Sequence, residues 1–225
     1  MQEIRYEVPE VRIVFRRIER PTASYILLAA ILAGFAVQQV AELYLGRSYY
    51  EFGDHGSFLY YVCPARSTVL DRPWTLVTSI FAHGGVLHLL VNVIVFVSFA
   101  PLLEMRVGRR DFLLVFFTSG VIAAAAQVAV SPPEVIVLGA SGAILGILAA
   151  LAVLAPRIPV LFFFIVPMRL WMVVAGFAAI SALLAFTMPE SSVANLAHLT
   201  GIIVGVAWGL RIKKREAGLV RLLTI

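Results

Sequence analysis

Three short stretches of this 225-residue chain carry side chains capable of covalent chemistry, and each is set in apolar sequence. Gly139-Ala140-Ser141-Gly142 places a hydroxyl between glycines, at the start of an apolar run that ends at Pro156. His83-Gly84-Gly85-Val86-Leu87-His88 brings two imidazoles, with Asn92 four residues further on. Ala197-His198 brings a third imidazole, followed by Gly201 and Gly205. A free hydroxyl is a weak nucleophile at neutral pH. A neutral imidazole within hydrogen-bond reach takes its proton as it attacks a carbonyl. Ser141 is therefore the candidate nucleophile and His198 the candidate general base. Gly201 and Gly205 fall roughly on the His198 face of their helix. Gly142, Gly146 and Ala149 offer a matching small-residue surface, so the two helices would approach closely and bring the pair together. Neither run holds an acidic residue, which predicts a dyad with no carboxylate to orient the imidazole.

The attacked carbonyl becomes an oxyanion and needs donors already in place. The N–H of Ser141 has no intrahelical acceptor at a helix start, and the helix dipole favours negative charge there. His88 and Asn92, four apart, share one helix face and would add side-chain donors. His83 sits at a loop boundary and is read as bracing that loop by hydrogen bonds. Each residue taken alone has a plainer reading. Serine at a helix start is commonly an N-cap. His198 and Asn92 would serve as hydrogen-bonding glue between helices. The glycines are packing residues in either case, and His55 is read as solvated and uninvolved.

The elements that must position these groups are membrane spans. The chain is 61% hydrophobic and 14% charged, with a mean hydropathy of +0.95. That composition implies an integral membrane protein, and the length fits one domain. The net charge of +5 lies in short segments between apolar runs. Membrane topology accounts for it, and no nucleic acid is implied. Cys63 is the single cysteine, so no internal disulfide forms. Residues 1–20 are charged throughout and lack the short apolar core of a signal peptide; they read as a cytoplasmic segment. Six apolar runs follow, at about 23–45, 85–103, 112–130, 141–155, 168–188 and 193–212, and residues 213–225 form a basic tail. The connection 46–82 is rich in Tyr, Phe and Trp, which places it along the membrane–water interface. Residues 156–167 read as a short apolar connection between Pro156 and Pro167.

Six crossings put both termini on one side. Fifteen of the 18 Lys and Arg then share that side, and only Arg47, Arg66 and Arg72 fall on the other. The excess predicts cytoplasmic termini. Depth supplies a second constraint. A helix over 141–155 is about 22 Å long at ~1.5 Å per residue, against a hydrocarbon core of ~30 Å, so Ser141 starts roughly 8 Å below the outer surface. His198, six residues past Ser192, lies about 9 Å deep by the same rise. His88 and Asn92 enter from the same face. Four polar groups from three spans therefore share one outer layer.

With these residues in place the chain resembles the rhomboids, a family of intramembrane serine proteases. The resemblance covers about 74–208. It rests on His83, His88 and Asn92 at their spacing, on Glu104, Arg106 and Gly108 after the second span, on Gly139-Ala140-Ser141-Gly142, and on Ala197-His198 with Gly201 and Gly205. It implies an all-α bundle of six transmembrane helices with a short central fourth helix. It implies Ser141 as nucleophile, His198 as base, and His88, Asn92 and the Ser141 amide as oxyanion donors. It further implies no cofactor or metal, substrates that are transmembrane helices cut near the outer face, and a prokaryotic plasma membrane. Two positions depart from the family pattern. Trp74-Thr75 stands where Trp-Arg is frequent, which removes that Arg's bonds to loop or lipid. Leu145 stands where an aromatic often stacks on the catalytic imidazole. A silent rhomboid-like protein that binds transmembrane segments is the first rival. A His-lined transporter or metal-binding membrane protein is the second, and His-Gly-Gly-Val-Leu-His lacks the His-Glu-x-x-His spacing that would favour it.

Overall fold

The computed structural model describes residues 20–45, 57–162, 165–187 and 194–223. Residues 1–19 and His55 therefore lie outside the described part. Among the described residues eight α-helices run in chain order: α1 Thr22–Leu45, α2 Phe58–Val62, α3 Thr75–Thr78, α4 Val86–Val107, α5 Arg109–Val130, α6 Ser141–Leu154, α7 Leu170–Thr187 and α8 Asn195–Leu223. A 3-10 turn, Ser79–Phe81, follows α3.

Five of the helices (α1, α4, α5, α7 and α8) are long and apolar enough to cross a membrane, and α6 is a shorter apolar helix. Their outer faces present bare hydrocarbon to the surroundings, with Leu87 on α4 74% exposed and Phe186 on α7 91% exposed. Such faces require lipid as their solvent, and the helices satisfy their own backbone polar groups within it. The protein is an integral membrane protein built as an all-α bundle. Helix α6 sits at its centre: every residue from Gly142 to Ala152 is buried. Apolar on all sides, it has no face to offer water or lipid. It packs most extensively on α8, α5 and α4.

Gly108 turns α4 directly into α5 at φ 86°, a left-handed backbone that glycine adopts without strain. The ends of four helices are tied together there. The buried carboxylate of Glu104 accepts from the first turn of α1, with Oε1 2.9 Å from the Ala23 N–H and Oε2 2.7 Å from that of Ser24. Arg106 forks onto Glu216 with two bonds of 2.8 Å. Arg215 pairs with Asp111. At the opposite end lie the starts of α4, α6 and α8 and the end of α5.

The described part of the long connection is folded against that end. Three side chains satisfy successive carbonyls of α2: Arg72 donates to Tyr60, Trp74 Nε1 to Tyr61 at 3.2 Å, and Thr78 Oγ1 to Val62 at 2.6 Å. The Arg72 guanidinium also lies 3.6 Å from the centroid of the Tyr60 ring. Thr75 is buried, its hydroxyl bonded to the Arg72 carbonyl at 2.5 Å. Arg72 thus anchors the connection from three residues before the Thr75 departure.

Residues 156–169 are not a simple connection. An antiparallel hairpin, β1 Pro159–Phe162 with β2 Val166–Arg169, joins α6 to α7. Both strands are edges, so Pro159 and Pro167 remove no interior ladder bond.

Candidate active site

Gly139 leads into α6 at φ 114°, with its N–H donated to the Ser79 carbonyl at 2.9 Å. Ala140 occupies the N-cap position, and no side chain caps the helix there. Ser141 is therefore the first helical residue and not the cap. Its hydroxyl is directed instead at α8, where Oγ lies 2.8 Å from His198 Nε2. Residues 57 apart in sequence are joined by one hydrogen bond.

The approach of the two helices is set by main chain. A Cβ on Gly201 would strike the backbone of Gly142, and a Cβ on Gly205 that of Gly146. A Cβ on Gly142 would lie 2.6 Å from that of Ala123 on α5. Leu145 is buried in the core of the bundle.

His88 stands at the start of α4 with its ring against Gly139, where a Cβ would lie 2.9 Å from His88 Cε1 and 3.1 Å from Nε2. The Gly84 N–H donates to His88 Nδ1 at 3.3 Å. A nitrogen that accepts carries no proton, so the neutral ring holds its hydrogen on Nε2, the side facing Gly139. Asn92 is buried, and its Nδ2 donates to the His88 carbonyl at 2.8 Å. The second Nδ2 hydrogen is left for another acceptor. His83 is fully buried, and its ring meets that of His88 edge-on at 5.2 Å. Its backbone does the bracing: Gln38 Oε1 accepts from the His83 N–H at 3.0 Å and Gln38 Nε2 donates to the His83 carbonyl at 2.9 Å. Among the described residues neither His83 ring nitrogen has a well-aligned partner.

Two positioning groups are absent from the sequence reading. Gln38 is one. Gln127 near the end of α5 is the other, with Oε1 3.2 Å from the Ala197 N–H, one residue before His198. Gln127 Nε2 in turn meets Ser131 Oγ at 3.3 Å. An amide in an apolar run signals a buried partner, and both glutamines stood in such runs. Among the described residues no group of three His, Cys, Asp or Glu is arranged to hold a metal ion.

A lipid-facing helical bundle that carries a serine–imidazole contact and a cluster of amide and imidazole groups at one end defines the class: a polytopic membrane protein with hydrolase-like side chains. A family model described as the Rhomboid domain matches residues 70–215, and the chain belongs to the rhomboid family. It is similar to YdcA of Bacillus subtilis, 36% identical over 104 residues that cover 40% of this chain and 52% of the relative. It is similar to the rhomboid protease GluP of the same organism, 30% identical over 133 residues, 59% of this chain and 24% of that one. Mitochondrial rhomboid protein 1 of Saccharomyces cerevisiae is 29% identical over 149 residues, 62% of this chain and 42% of the yeast protein. The chain thus matches between a quarter and about half the length of these relatives.

Proposed function

We propose that this chain is an intramembrane serine endopeptidase that cuts transmembrane helices of other membrane proteins through a Ser141–His198 dyad. The 2.8 Å contact between Ser141 Oγ and His198 Nε2 carries this reading. In the first step Oγ attacks the scissile carbonyl carbon as its proton passes to Nε2 of the neutral imidazole. The carbonyl oxygen becomes an oxyanion, met by the Ser141 N–H, by Nε2–H of His88 and by the free Nδ2 hydrogen of Asn92. His198 then returns the proton to the leaving amine, and the peptide C–N bond breaks to leave an acyl-serine. Water adds to the ester with His198 again as base, which frees the carboxylate and restores the serine. The substrate helix must unwind where it is cut, because a hydrogen-bonded helix shields its carbonyls. His83, Gly139, Gly142, Leu145, Gly201 and Gly205 support the site by packing.

In the same proposal the chain makes six crossings, with α6 as the short one, within residues 21–212. Both termini are cytoplasmic, the site opens near the outer face of a prokaryotic plasma membrane, and no cofactor takes part. Leu145, which brings no ring to His198, favours the second reading, a silent relative that binds helices without cutting them. A fluorophosphonate probe in membranes separates the two. Labelling of the wild type, lost in Ser141→Ala and in His198→Ala together with cleavage of a model transmembrane substrate, is the expected result. A wild type that neither labels nor cleaves would leave the binding reading standing. Turnover unchanged in Ser141→Ala would end the protease reading.

A further inference from the structure

The end of the bundle opposite Ser141 holds a cleft of about 980 Å³ between the α4–α5 turn and α8. Its charges do not cancel internally. Glu104 spends its carboxylate on the first turn of α1, and Asp111 spends its own on Arg215. Arg109, Arg110 and Arg211 line the same cleft, are exposed, and have no ion-pair partner among the described residues. Arg109 and Arg110 open α5, where the free N–H groups of the first turn add positive potential.

The floor is fixed. Trp208 Nε1 donates to Thr118 Oγ1 on α5 at 2.9 Å, and the Arg211 guanidinium lies 5.3 Å from the Trp208 ring centroid. The walls are apolar: Leu113, Leu114 and Met105 border the cleft, and the last two are partly open to the surroundings. Gly108 joins two membrane-length helices directly, so the cleft lies where those helices leave the hydrocarbon. A cavity that combines guanidinium groups lacking an ion-pair partner among the described residues with apolar lining matches an amphiphile with an anionic head.

We propose that this cleft binds the phosphate headgroup of an anionic phospholipid, its acyl chains lying on the exposed faces of Leu114 and Met105. Guanidinium groups suit phosphate because their planar N–H forks bond its oxygens two at a time. Basic pockets between transmembrane helices are known lipid-headgroup sites. The plainer account, in which these arginines only set topology, predicts equal roles for all basic residues at this end.

The test is native mass spectrometry of the full chain in detergent, titrated with dioleoyl phosphatidylglycerol or dioleoyl phosphatidylcholine. The wild type is expected to retain one phosphatidylglycerol with about tenfold or greater preference. Arg109→Gln with Arg110→Gln, and Arg211→Gln alone, should bring that preference close to parity. Lys213→Gln with Lys214→Gln removes as much charge from the neighbouring α8 surface outside the cleft and should leave the preference intact. Helix content by circular dichroism verifies that each variant is folded. Loss of preference in the lysine variant to the same degree, no preference in the folded wild type, or displacement by equimolar inorganic phosphate would overturn the proposal.

Discussion

A single hydrogen atom decides what Gly139 must be. At φ 114° a side chain would already be strained, and here a Cβ would also sit 2.9 Å from His88 Cε1. Gly139→Ala is expected to push the His88 ring away and remove one proposed oxyanion donor. Cleavage should fall by about 10²–10³, while the Ser141–His198 contact persists; turnover assays on the full chain check this. His83 carries a different expectation. Burial first, and the neighbouring His88 ring second, hold its imidazole down from 6.5 to about 4, with the Phe81 carbonyl pulling the other way. A lowered folded pKa means that the unfolded chain takes up the proton first. The stabilisation is complete above 6.5 and drains away as pH falls toward 4. Unfolding of His83→Gln in micelles should show a flatter acid limb across that window than the wild type.

At the scale of elements, α8 depends on a helix it does not follow in sequence. The Ala197 N–H belongs to the first turn of α8 and has no intrahelical acceptor; Gln127 on α5 supplies one. Gln127→Leu leaves that donor orphaned, at a cost of about 1–3 kcal/mol. Amide exchange over 195–200 should quicken and probe labelling of Ser141 should slow. Gln127→Glu keeps an acceptor oxygen and should preserve both. This contact explains what could and could not be read from the residues alone. The long apolar runs were legible because proline, glycine and charge interrupt them. The meeting of Ser141 with His198 was legible because both stand on helices with small-residue faces. Gln38 and Gln127 were not, since each reaches backbone 45 and 70 residues away, and a lone amide does not say which backbone. The hairpin 159–169 was hidden by Pro159 and Pro167, which read as loop. Apolar side chains are exposed on both of its faces, Leu161 on one and Val166 on the other, so no alternation of polar and apolar residues marks the strands.

Across the whole molecule the two ends of the bundle are built from different materials. One end is charged: Glu104, Arg106, Asp111, Arg215 and Glu216 knit α1, α4, α5 and α8 together. The other is joined chiefly through amides, hydroxyls and imidazoles, with Arg72 in the connection folded against it, and it holds the proposed chemistry among Ser141, His198, His88 and Asn92. Between them runs the α6–α8 seam, where Gly201 and Gly205 rest on the backbone of Gly142 and Gly146. A joint of that kind has no rotamers to melt. Side chains on the periphery gain freedom on warming well before main-chain atoms in contact separate. Heating should therefore leave the seam closed until the bundle itself gives way, so that probe reactivity and helical circular dichroism are lost at one temperature, with no inactive but folded state between.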